Sequence, residues 1–296
     1  MQKTYDYKTG LSSMAITYAI WGFQPLFFHL DKDIDTLFLL AGRILWAAVI
    51  CLVILKAEGK LGALLALFRS KEAMKREIPA TLFLFADWAL YLVGIRADRV
   101  MECAMGYYIM PLVMVLFGAV VYREKLFRQH YIALGFILVG ISLSVGGFGG
   151  FPTLAILLAL SFPIYAAIKK SYPSDYLVST SAEILMMAVP ALLYLLILGR
   201  GETGLGSLTP LRQLFLTLSG VITAVPMVYY AKGLSCLPMV LLGIIEYAAP
   251  TLDLLCGRIL GESFSKEKLI SFAFIWMGIL VFTVYEFRTN KRSGDT

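Results

Sequence analysis

Residues 106–140 read GYYIMPLVMVLFGAVVYREKLFRQHYIALGFILVG, and residues 245–278 read IEYAAPTLDLLCGRILGESFSKEKLISFAFIWMG. The two stretches align with a single one-residue gap. Both have a proline inside an apolar run, then a glycine, an acidic residue in the polar turn, and a glycine in the next apolar run. The matched pairs are Pro111 with Pro250, Gly118 with Gly257, Glu124 with Glu262, and Gly140 with Gly278. The chain therefore carries an internal repeat.

Apolar runs of the same kind continue on both sides of these stretches. Ten can be counted along the chain, separated by short polar segments. Runs of about 17–24 residues suit helices that cross the ~30 Å hydrocarbon core of a bilayer, and membrane-barrel strands would alternate apolar and polar residues instead. The runs cover residues 11–30, 36–55, 79–95, 102–121, 131–147, 151–168, 178–198, 213–231, 237–260 and 269–286.

The glycine-rich segment at residues 146–150 divides these runs into two groups of five. Five is an odd number, so the second group must enter the membrane from the opposite side. Inverted repeats of this type are typical of secondary transporters, whose substrate site lies near the midplane between the halves. We therefore predict an all-α integral membrane fold with ten transmembrane helices as two inverted five-helix repeats, over residues 1–148 and 149–296.

The composition favours a membrane protein. Of the 296 residues, 59% are hydrophobic and 16% are charged, whereas soluble domains have ~25% charged residues. The mean hydropathy is +0.78. These values exclude a cytosolic enzyme, a secreted disulfide domain and a disordered chain. The first run has no small-residue cleavage site and predicts a retained span, not a signal peptide.

The charges and the cysteines narrow the class further. Segments on the side of the two termini hold roughly twice as many Lys and Arg as the opposite side, which predicts that both termini are cytoplasmic. Cytoplasmic loops rich in Lys and Arg account for the net charge of +6, so this charge does not indicate a nucleic-acid partner. The four cysteines and two histidines lack the spacing of a disulfide framework or metal site, so we expect no metal and no other cofactor.

Ionisable residues inside the predicted spans are costly and are therefore functional candidates. Arg43 could clamp a substrate carboxylate, because a guanidinium gives bidentate recognition. It could equally form a structural ion pair with an acid of a neighbouring helix, and the residues leave both interpretations open. The five candidates are Arg43, Asp87, Glu183, Glu246 and Asp253.

Helical spacing gives several spans a polar and aromatic stripe. Glu246, Pro250 and Asp253 follow i, i+4, i+7 and share one face. We expect such faces to line one central substrate cavity, and helix packing with interfacial aromatics is the alternative. The predicted substrate-binding residues are Trp21, Arg43, Asp87, Trp88, Tyr107, Glu246 and Tyr247.

Proline in a span frees backbone carbonyls and permits bending. Pro111 and Pro250 stand at matching places in the two halves, so we predict that they are hinges or cavity-lining breaks. No GxxxxGK[ST] sequence is present, so ATP-driven transport is not expected. A GxGxxG sequence at residues 199–204 follows a membrane span instead of a strand, and we reject it as a dinucleotide site.

Stretches spread over residues 11–286 resemble the EamA-type drug/metabolite transporter superfamily and, in detail, its RarD branch of chloramphenicol-sensitive proteins. The resemblance implies ten helices, a central cavity, and export or facilitated movement of small organic metabolites across the cytoplasmic membrane. The stretches are AIWGFQPLFFHL, GRILWA, ADWALY, MECAMGYYIMPLVMVLFG, AEILMMAVPALLYL, VITAVPMVYY, LGIIEYAAPTLDLL and FAFIWMGILVF. Small-molecule substrate and membrane lipid are the implied partners, with protons and a second copy of the chain as further candidates.

Individual positions match the family unevenly. Arg43 and Glu183 match its motifs, whereas the histidine expected before Arg43 is Gly42 here. Glu246 and Asp87 stand where the resemblance implies glutamine and asparagine. Glu183, Glu246 and Arg43 are the candidate coupling or ion-pair residues. Because a guanidinium stays protonated, proton coupling would fall on Glu183 first and Glu246 second, and permanent ion pairing in a passive facilitator is the alternative.

These features predict a secondary transporter of small organic metabolites or amino-acid-like solutes that works by alternating access, with proton coupling as one option. The alternative is a membrane-embedded sensor or receptor that binds a similar metabolite without moving it. The repeat favours transport, because alternating access needs two related halves. No constellation supports an enzyme.

Overall fold

The computed structural model describes residues 5–30, 34–96, 99–145, 153–197, 209–260 and 266–293. Within these ranges the secondary structure is helical and contains no strand. The helices are α1 (Tyr7–Phe28), α2 (Thr36–Ala57), α3 (Leu61–Arg69), α4 (Lys71–Arg96), α5 (Val100–Val120), α6 (Arg128–Val145), α7 (Thr153–Lys170), α8 (Tyr176–Ile197), α9 (Pro210–Cys236), α10 (Met239–Glu246), α11 (Ala248–Ile259) and α12 (Lys266–Ser293). The all-α prediction is confirmed for this part of the chain.

The described ranges hold twelve helices where ten were predicted, and one reason is a break in the ninth predicted span. That span is divided into α10 and α11 at Tyr247. Pro250 has no backbone N–H to donate to the carbonyl of Glu246, four residues earlier, and α10 ends at Glu246. By contrast, α5 continues through Pro111 without interruption.

The other additional helix is α3. It begins at Leu61, shortly after a turn at Gly59 that ends α2. Gly59 has φ +66°, a conformation that glycine adopts without steric cost. Its N–H bonds to the carbonyl of Lys56 at 3.1 Å, and the N–H of Lys60 bonds to the carbonyl of Leu55 at 2.8 Å. This is the Schellman pattern. Leu64 of α3 then packs in a buried cluster with residues of α2 and α8.

Several helices suit a lipid environment. Among the residues that the structure describes, four helices are long and apolar enough to cross a membrane: α2, α7, α8 and α9. Shorter apolar helical stretches cover Met105–Val120, Arg128–Leu143 and Leu269–Tyr285. Large apolar side chains such as Val53, Leu82 and Leu280 are about three-fifths exposed, and an extensive apolar surface of this kind marks contact with lipid or another apolar partner.

The chain forms two compact units, and each takes segments from both halves of the sequence. The first unit comprises Met1–Leu92 and Ile164–Leu237, and the second comprises Val93–Pro163 and Pro238–Thr296. The repeat boundary expected at residues 148 and 149 lies outside the described residues, as does the GxGxxG sequence at 199–204. The division into two sequence repeats stays a prediction.

In the first unit, α1 packs on α9, and α2 packs on α8 and α9. A proline supplies one link between α1 and α9. Pro226 cannot donate to the carbonyl of Ile222, and the side-chain amide of Gln24 donates to that carbonyl at 3.3 Å. The Thr17 hydroxyl donates to the carbonyl of Pro226 at 3.2 Å. Side chains of α1 therefore satisfy backbone groups near the proline in α9.

In the second unit, α6 packs along α12 and α10 packs on α5. The α6–α12 contact is close, because Gly140 lies against the backbone of Ser271 and Gly278 lies against the backbone of Ala133. Glu124 holds the start of α10, where its carboxylate accepts hydrogen bonds from the N–H groups of Met239 at 2.7 Å and Val240 at 2.8 Å. A carboxylate at a helix N-terminus also stabilises the helix dipole.

Candidate functional site

A buried ion pair joins α7 to α8 in the first unit. Lys169 Nζ lies 2.7 Å from Glu183 Oε1, and the two side chains are 4% and 0% exposed. The Tyr165 hydroxyl donates to the other carboxylate oxygen of Glu183 at 3.2 Å. Both oxygens of Glu183 therefore have a partner within α7.

A serine extends this pair to a second acid on α4. Lys169 Nζ donates to Ser179 Oγ at 2.8 Å, and Ser179 Oγ donates to Glu77 Oε1 at 2.6 Å. Glu77 is 1% exposed, and its Oε2 atom makes no hydrogen bond within the described part of the chain. We call Glu77, Tyr165, Lys169, Ser179 and Glu183 the buried charge cluster.

The ionisable side chains of this cluster do not balance in charge. Two carboxylates and one ammonium would give it a net charge of −1 if all three were ionised. Buried charge is costly unless it is compensated. The short segment after α7 adds a neutral group, since burial first, and then the nearby Glu77 and Glu183, raise the pKa of Tyr172 far above its usual range.

A second group of polar and aromatic side chains surrounds Arg43 of α2, also in the first unit. The guanidinium lies 4.9 Å from the ring centre of Trp88 and 5.8 Å from that of Phe28, within the range of cation–π attraction. Asp87, next to Trp88 on α4, is buried. Arg43 itself is half-buried, so the aromatic rings hold a permanent cation within the apolar part of α2.

An aromatic group lies between α1 and α9. The Trp21 ring is 5.8 Å from the ring of Tyr18 and 5.5 Å from the ring of Tyr230. Tyr18 and Tyr230 are both buried, whereas Trp21 is half-buried. The position of Trp21 is therefore fixed by ring contacts on two sides.

In the second unit, the break between α10 and α11 carries two of the predicted site residues. Glu246 and Tyr247 are buried there, and the Tyr247 hydroxyl donates to the carbonyl of Tyr108 at 3.1 Å. In the repeat alignment Tyr108 is the counterpart of Tyr247, and Tyr107 is the counterpart of Glu246. Residues at equivalent places in the two halves therefore join α5 to the break.

Comparisons with known proteins point to one family. The EamA-like transporter family matches residues 8–146. The uncharacterized transporter YojE of Bacillus subtilis (strain 168) is 32% identical, with 97% of each chain covered. Protein RarD of Streptomyces exfoliatus is 30% identical, with 99% of this chain and 94% of that protein covered. The chain belongs to the EamA-like transporter family.

Within this family the relatives named RarD confirm the resemblance to the RarD branch. A solved crystal structure shares the fold of this EamA-like protein, with a TM-score of 0.73 and 19% identity over 93% of this chain and 98% of that one. Family membership and the apolar helices together make the chain a multi-pass membrane protein of a transporter family.

The structure divides the predicted site residues of the EamA-like protein between the two units. Those in the first unit are Trp21, Arg43, Asp87, Trp88 and Glu183, and those in the second are Tyr107, Pro111, Glu246, Tyr247 and Pro250. Within the first unit, Arg43 and Trp88 are brought together, while Glu183 pairs with Lys169. The prediction that all the substrate-binding residues line a single cavity stays a prediction.

Sequence reasoning missed Glu77 and Lys169. Both lie just beyond the predicted spans at 79–95 and 151–168. In the structure α4 begins at Lys71 and α7 ends at Lys170, so both residues are helical and buried. One signal was present, because Tyr165 and Lys169 have the i, i+4 spacing that places two side chains on one helix face.

Proposed function

We propose that this protein is a secondary transporter that moves small organic metabolites or amino-acid-like solutes across the cytoplasmic membrane by alternating access. The observation that carries the proposal is the reciprocal packing of α6 and α12. Gly140 and Gly278 are counterparts in the repeat, and each faces the backbone of the other helix at counterpart residues, Ser271 and Ala133. Two related halves are what alternating access requires and what a receptor does not need.

The topology that we propose has ten membrane crossings in two inverted repeats. Both termini are cytoplasmic, in line with the distribution of Lys and Arg. In this topology α10 and α11 together form the ninth crossing, and α3 lies outside the membrane core. The crossings are α1, α2, α4, α5, α6, α7, α8, α9, the pair α10–α11, and α12.

For substrate recognition we propose Arg43 as the anchor of a carboxylate. Its guanidinium lies 4.9 Å from the ring centre of Trp88 and 5.8 Å from that of Phe28, and such rings also offer an apolar contact to a side chain of the substrate. Asp87 neighbours Trp88 and supplies the negative charge that an ammonium group requires. This combination favours a zwitterionic, amino-acid-like solute. Trp21, also in the first unit, remains a proposed contributor to this site, and Tyr107, Glu246 and Tyr247 of the second unit remain proposed substrate-binding residues.

Counterflow in proteoliposomes tests the transport proposal. Vesicles loaded with an unlabelled amino-acid mixture should accumulate radiolabelled solute from outside when the protein is present. Arg43→Gln should lower the initial rate by about 10-fold or more, because a charge-assisted hydrogen bond worth ~1.5–3 kcal/mol is lost. Arg69→Gln, which changes an exposed arginine of α3, is the matched control and should leave the rate unchanged.

The same experiment separates the transporter from the sensor or receptor. Binding of a labelled solute with no flux, in vesicles that contain folded protein, would favour a receptor. Equal rates for Arg43→Gln and Arg69→Gln would remove Arg43 from the site and leave transport itself in place.

Uphill movement requires an ion gradient or an exchanged solute, since the chain has no GxxxxGK[ST] sequence. The sequence leaves proton coupling through Glu183 or Glu246 as one option, with permanent ion pairing in a passive facilitator as the alternative. The contacts of Glu183 with Lys169 and Tyr165 support a fixed ion-pair role for its carboxylate.

A further inference from the structure

We infer that α3 lies in the cytoplasmic interface of the membrane and, together with a lysine near each of its ends, binds anionic phospholipid. This role rests on the proposed topology, which puts α3 between the cytoplasmic ends of two crossings, α2 and α4. Two features of residues 56–76 point to it. One is an exposed apolar face on α3, and the other is an excess of positive charge around that face.

The length of α3 excludes a membrane crossing. Leu61–Arg69 is nine residues long, and at a rise of ~1.5 Å per residue it measures about 14 Å. The hydrocarbon core of a bilayer is ~30 Å thick. A short amphipathic helix between two crossings lies in the plane of the interface, with its apolar face toward the acyl chains.

The protein covers only part of the apolar surface of α3. Leu64 is buried, and Leu67 packs on the same cluster, which joins α3 to α2 and α8. Leu61, Leu65 and Phe68 have the i, i+4, i+7 spacing of a neighbouring face. All three are exposed, and Leu65 is 55% exposed. We call Leu61, Leu65 and Phe68 the α3 stripe.

The opposite side of α3 carries small residues. Ala63 and Ala66 lie on that side and are exposed. The two exposed sides of the helix therefore differ, since one presents large apolar side chains and the other only methyl groups. This difference favours the α3 stripe as the side that turns toward lipid.

Positive charge surrounds the α3 stripe. Residues 56–76 contain six Lys or Arg against two Asp or Glu, a net charge of +4. Lys56 lies in the last turn of α2, and Lys71 begins α4. Both lysines are exposed, and neither takes part in an ion pair between residues that the structure describes. Exposed cations beside an interfacial apolar face attract anionic head groups.

A third lysine fixes α3 on the protein. Lys60 Nζ lies 2.7 Å from Asp175 Oδ2, at the start of α8. This ion pair and the cluster around Leu64 hold α3 against α8. The α3 stripe therefore keeps one orientation, and Lys60 is bound to the protein while Lys56 and Lys71 remain exposed to lipid.

A second copy of the chain could also bury the α3 stripe, but the charge favours lipid. In a symmetric dimer the same face of each copy meets its equivalent. Two segments of net charge +4 would then lie side by side, and like charges repel. An anionic phospholipid supplies the opposite charge together with acyl chains for the apolar side chains.

Fluorescence quenching in vesicles tests the position of the α3 stripe. The full-length protein carries a bimane label at Leu65→Cys or at Ala66→Cys, in a Cys236→Ser background because the other three cysteines are buried. The vesicles contain equal parts of phosphatidylglycerol and phosphatidylcholine, one of which bears a nitroxide on its acyl chain. The label at position 65 should be quenched about twofold more than the label at 66, since the apolar face of an interfacial helix enters the head-group boundary by ~5–10 Å.

The lipid that quenches more strongly reports the lipid class. At position 65 the apparent association constant should be about 5-fold larger for phosphatidylglycerol than for phosphatidylcholine, the factor that one nearby lysine supplies. Lys56→Gln combined with Lys71→Gln should lower this ratio about 5-fold and keep the quenching itself. Salt at about 1 M should lower the ratio as well, because it screens the charges. Lys125→Gln combined with Arg128→Gln removes two exposed charges from the second unit and should leave the ratio unchanged.

Three results would overturn the inference. Equal quenching at positions 65 and 66 would contradict the interfacial position of α3. Equal quenching by the two lipids at position 65 would contradict the preference for anionic lipid. Weak quenching by both lipids, with cross-linking of Leu65→Cys between two copies, would assign the α3 stripe to a second copy.

The proposed function is tested separately. Counterflow is not part of the quenching measurement, so a failed quenching test leaves the transport proposal in place, and absence of counterflow leaves the lipid surface in place. Reaction of Ala66→Cys with a membrane-impermeant maleimide in intact cells would overturn both the cytoplasmic position of α3 and the proposed topology.

Discussion

Gly140 of α6 and Gly278 of α12 occupy reciprocal positions in the second unit. A Cβ atom added to Gly140 would lie 2.6 Å from the carbonyl oxygen of Ser271, and one added to Gly278 would lie 2.6 Å from the carbonyl oxygen of Ala133. The same number of residues separates Gly140 from Gly278 and Ala133 from Ser271. Glycine at both positions lets the two backbones approach closely, as small residues do where membrane helices cross.

Alanine at either glycine should destabilise the protein to a similar extent. The added methyl group meets a carbonyl oxygen, which cannot move without its helix, so we expect a loss of about 1–3 kcal/mol from Gly140→Ala and from Gly278→Ala. Thermal unfolding in detergent measures the effect.

Gly135, on the same helix as Gly140, provides the control, because a Cβ added there meets nothing within 4 Å. Gly135→Ala should be neutral or slightly stabilising, since alanine favours a helix over glycine by up to ~1 kcal/mol. An unchanged Tm for both Gly140→Ala and Gly278→Ala would contradict the close approach of α6 and α12.

Lys169 should be among the most sensitive positions for stability. Lys169→Met leaves two carboxyl groups buried without their ammonium, and breaking a buried pair in this way costs about 3–5 kcal/mol. The double variant Lys169→Met with Glu183→Gln should be less destabilised than the sum of its two single changes. Chemical denaturation of the three variants supplies the comparison.

An exposed ion pair on α4 provides the matched control for Lys169→Met. Lys75 and Glu72 are 3.9 Å apart with both side chains largely exposed, and Lys75→Met should cost at most about 1 kcal/mol. Additive losses in the Lys169 and Glu183 double variant would show that the two residues do not act as a pair.

Much of the fold was predictable, because its signals are local. Hydrophobic runs mark the helices. Pro250 lies next to the break between α10 and α11, but a proline alone does not predict a break, because α5 continues through Pro111. The matched glycines at 140 and 278 were visible in the alignment as well. Their contact was not, because an alignment says which residues are equivalent and not which of them touch.

The buried charge cluster was less accessible to sequence reasoning. Counting apolar runs ends a span where the apolar run gives way to polar residues, so the predicted spans at 79–95 and 151–168 stop short of Glu77 and Lys169. The pairing of Lys169 with Glu183 also depends on how α7 packs against α8, and the link to Glu77 depends on α4. Long-range pairing of this kind has no local pattern, apart from the i, i+4 spacing on each helix.

Gln24 of α1 should contribute to stability because of Pro226, a proline in α9. Its side-chain amide is the donor to the carbonyl of Ile222, which Pro226 leaves without its usual partner in α9. Gln24→Leu should therefore cost about 1–3 kcal/mol, the penalty for an unsatisfied carbonyl. Thermal unfolding of Gln24→Leu alone and combined with Pro226→Ala measures this.

The double variant Gln24→Leu with Pro226→Ala tests whether the missing N–H of Pro226 is the reason that Gln24 matters. With alanine at position 226 a backbone N–H becomes available to the carbonyl of Ile222, so Gln24→Leu should cost less in the Pro226→Ala background. The same cost in both backgrounds would show that the amide of Gln24 acts elsewhere.

Asp175 should stabilise the start of α8 in two separable ways. Its Oδ1 atom accepts from the N–H groups of Leu177 at 3.0 Å and Val178 at 3.2 Å, and its Oδ2 atom lies 2.7 Å from Lys60 Nζ. Asp175→Asn keeps an oxygen for the cap and removes the charge, so we expect a loss of about 0.2–1 kcal/mol. Asp175→Ala removes the cap as well and should cost ~1 kcal/mol more.

The contribution of the Asp175 charge to stability should decrease in acid. Burial alone would raise the pKa of Asp175, but the Lys60 hydrogen bond and the two backbone N–H groups outweigh it and hold that pKa below its usual range. A carboxyl with a lowered pKa in the folded state stabilises the fold above its unfolded pKa of ~3.9, and this stabilisation is lost as the pH falls through the folded pKa. The Tm difference between wild type and Asp175→Asn should therefore be constant near neutral pH and shrink in acid.

Lys60→Met should reduce that difference at neutral pH, since the ion pair is then absent in both proteins. A Tm difference that grows as the pH falls would contradict this role of Asp175.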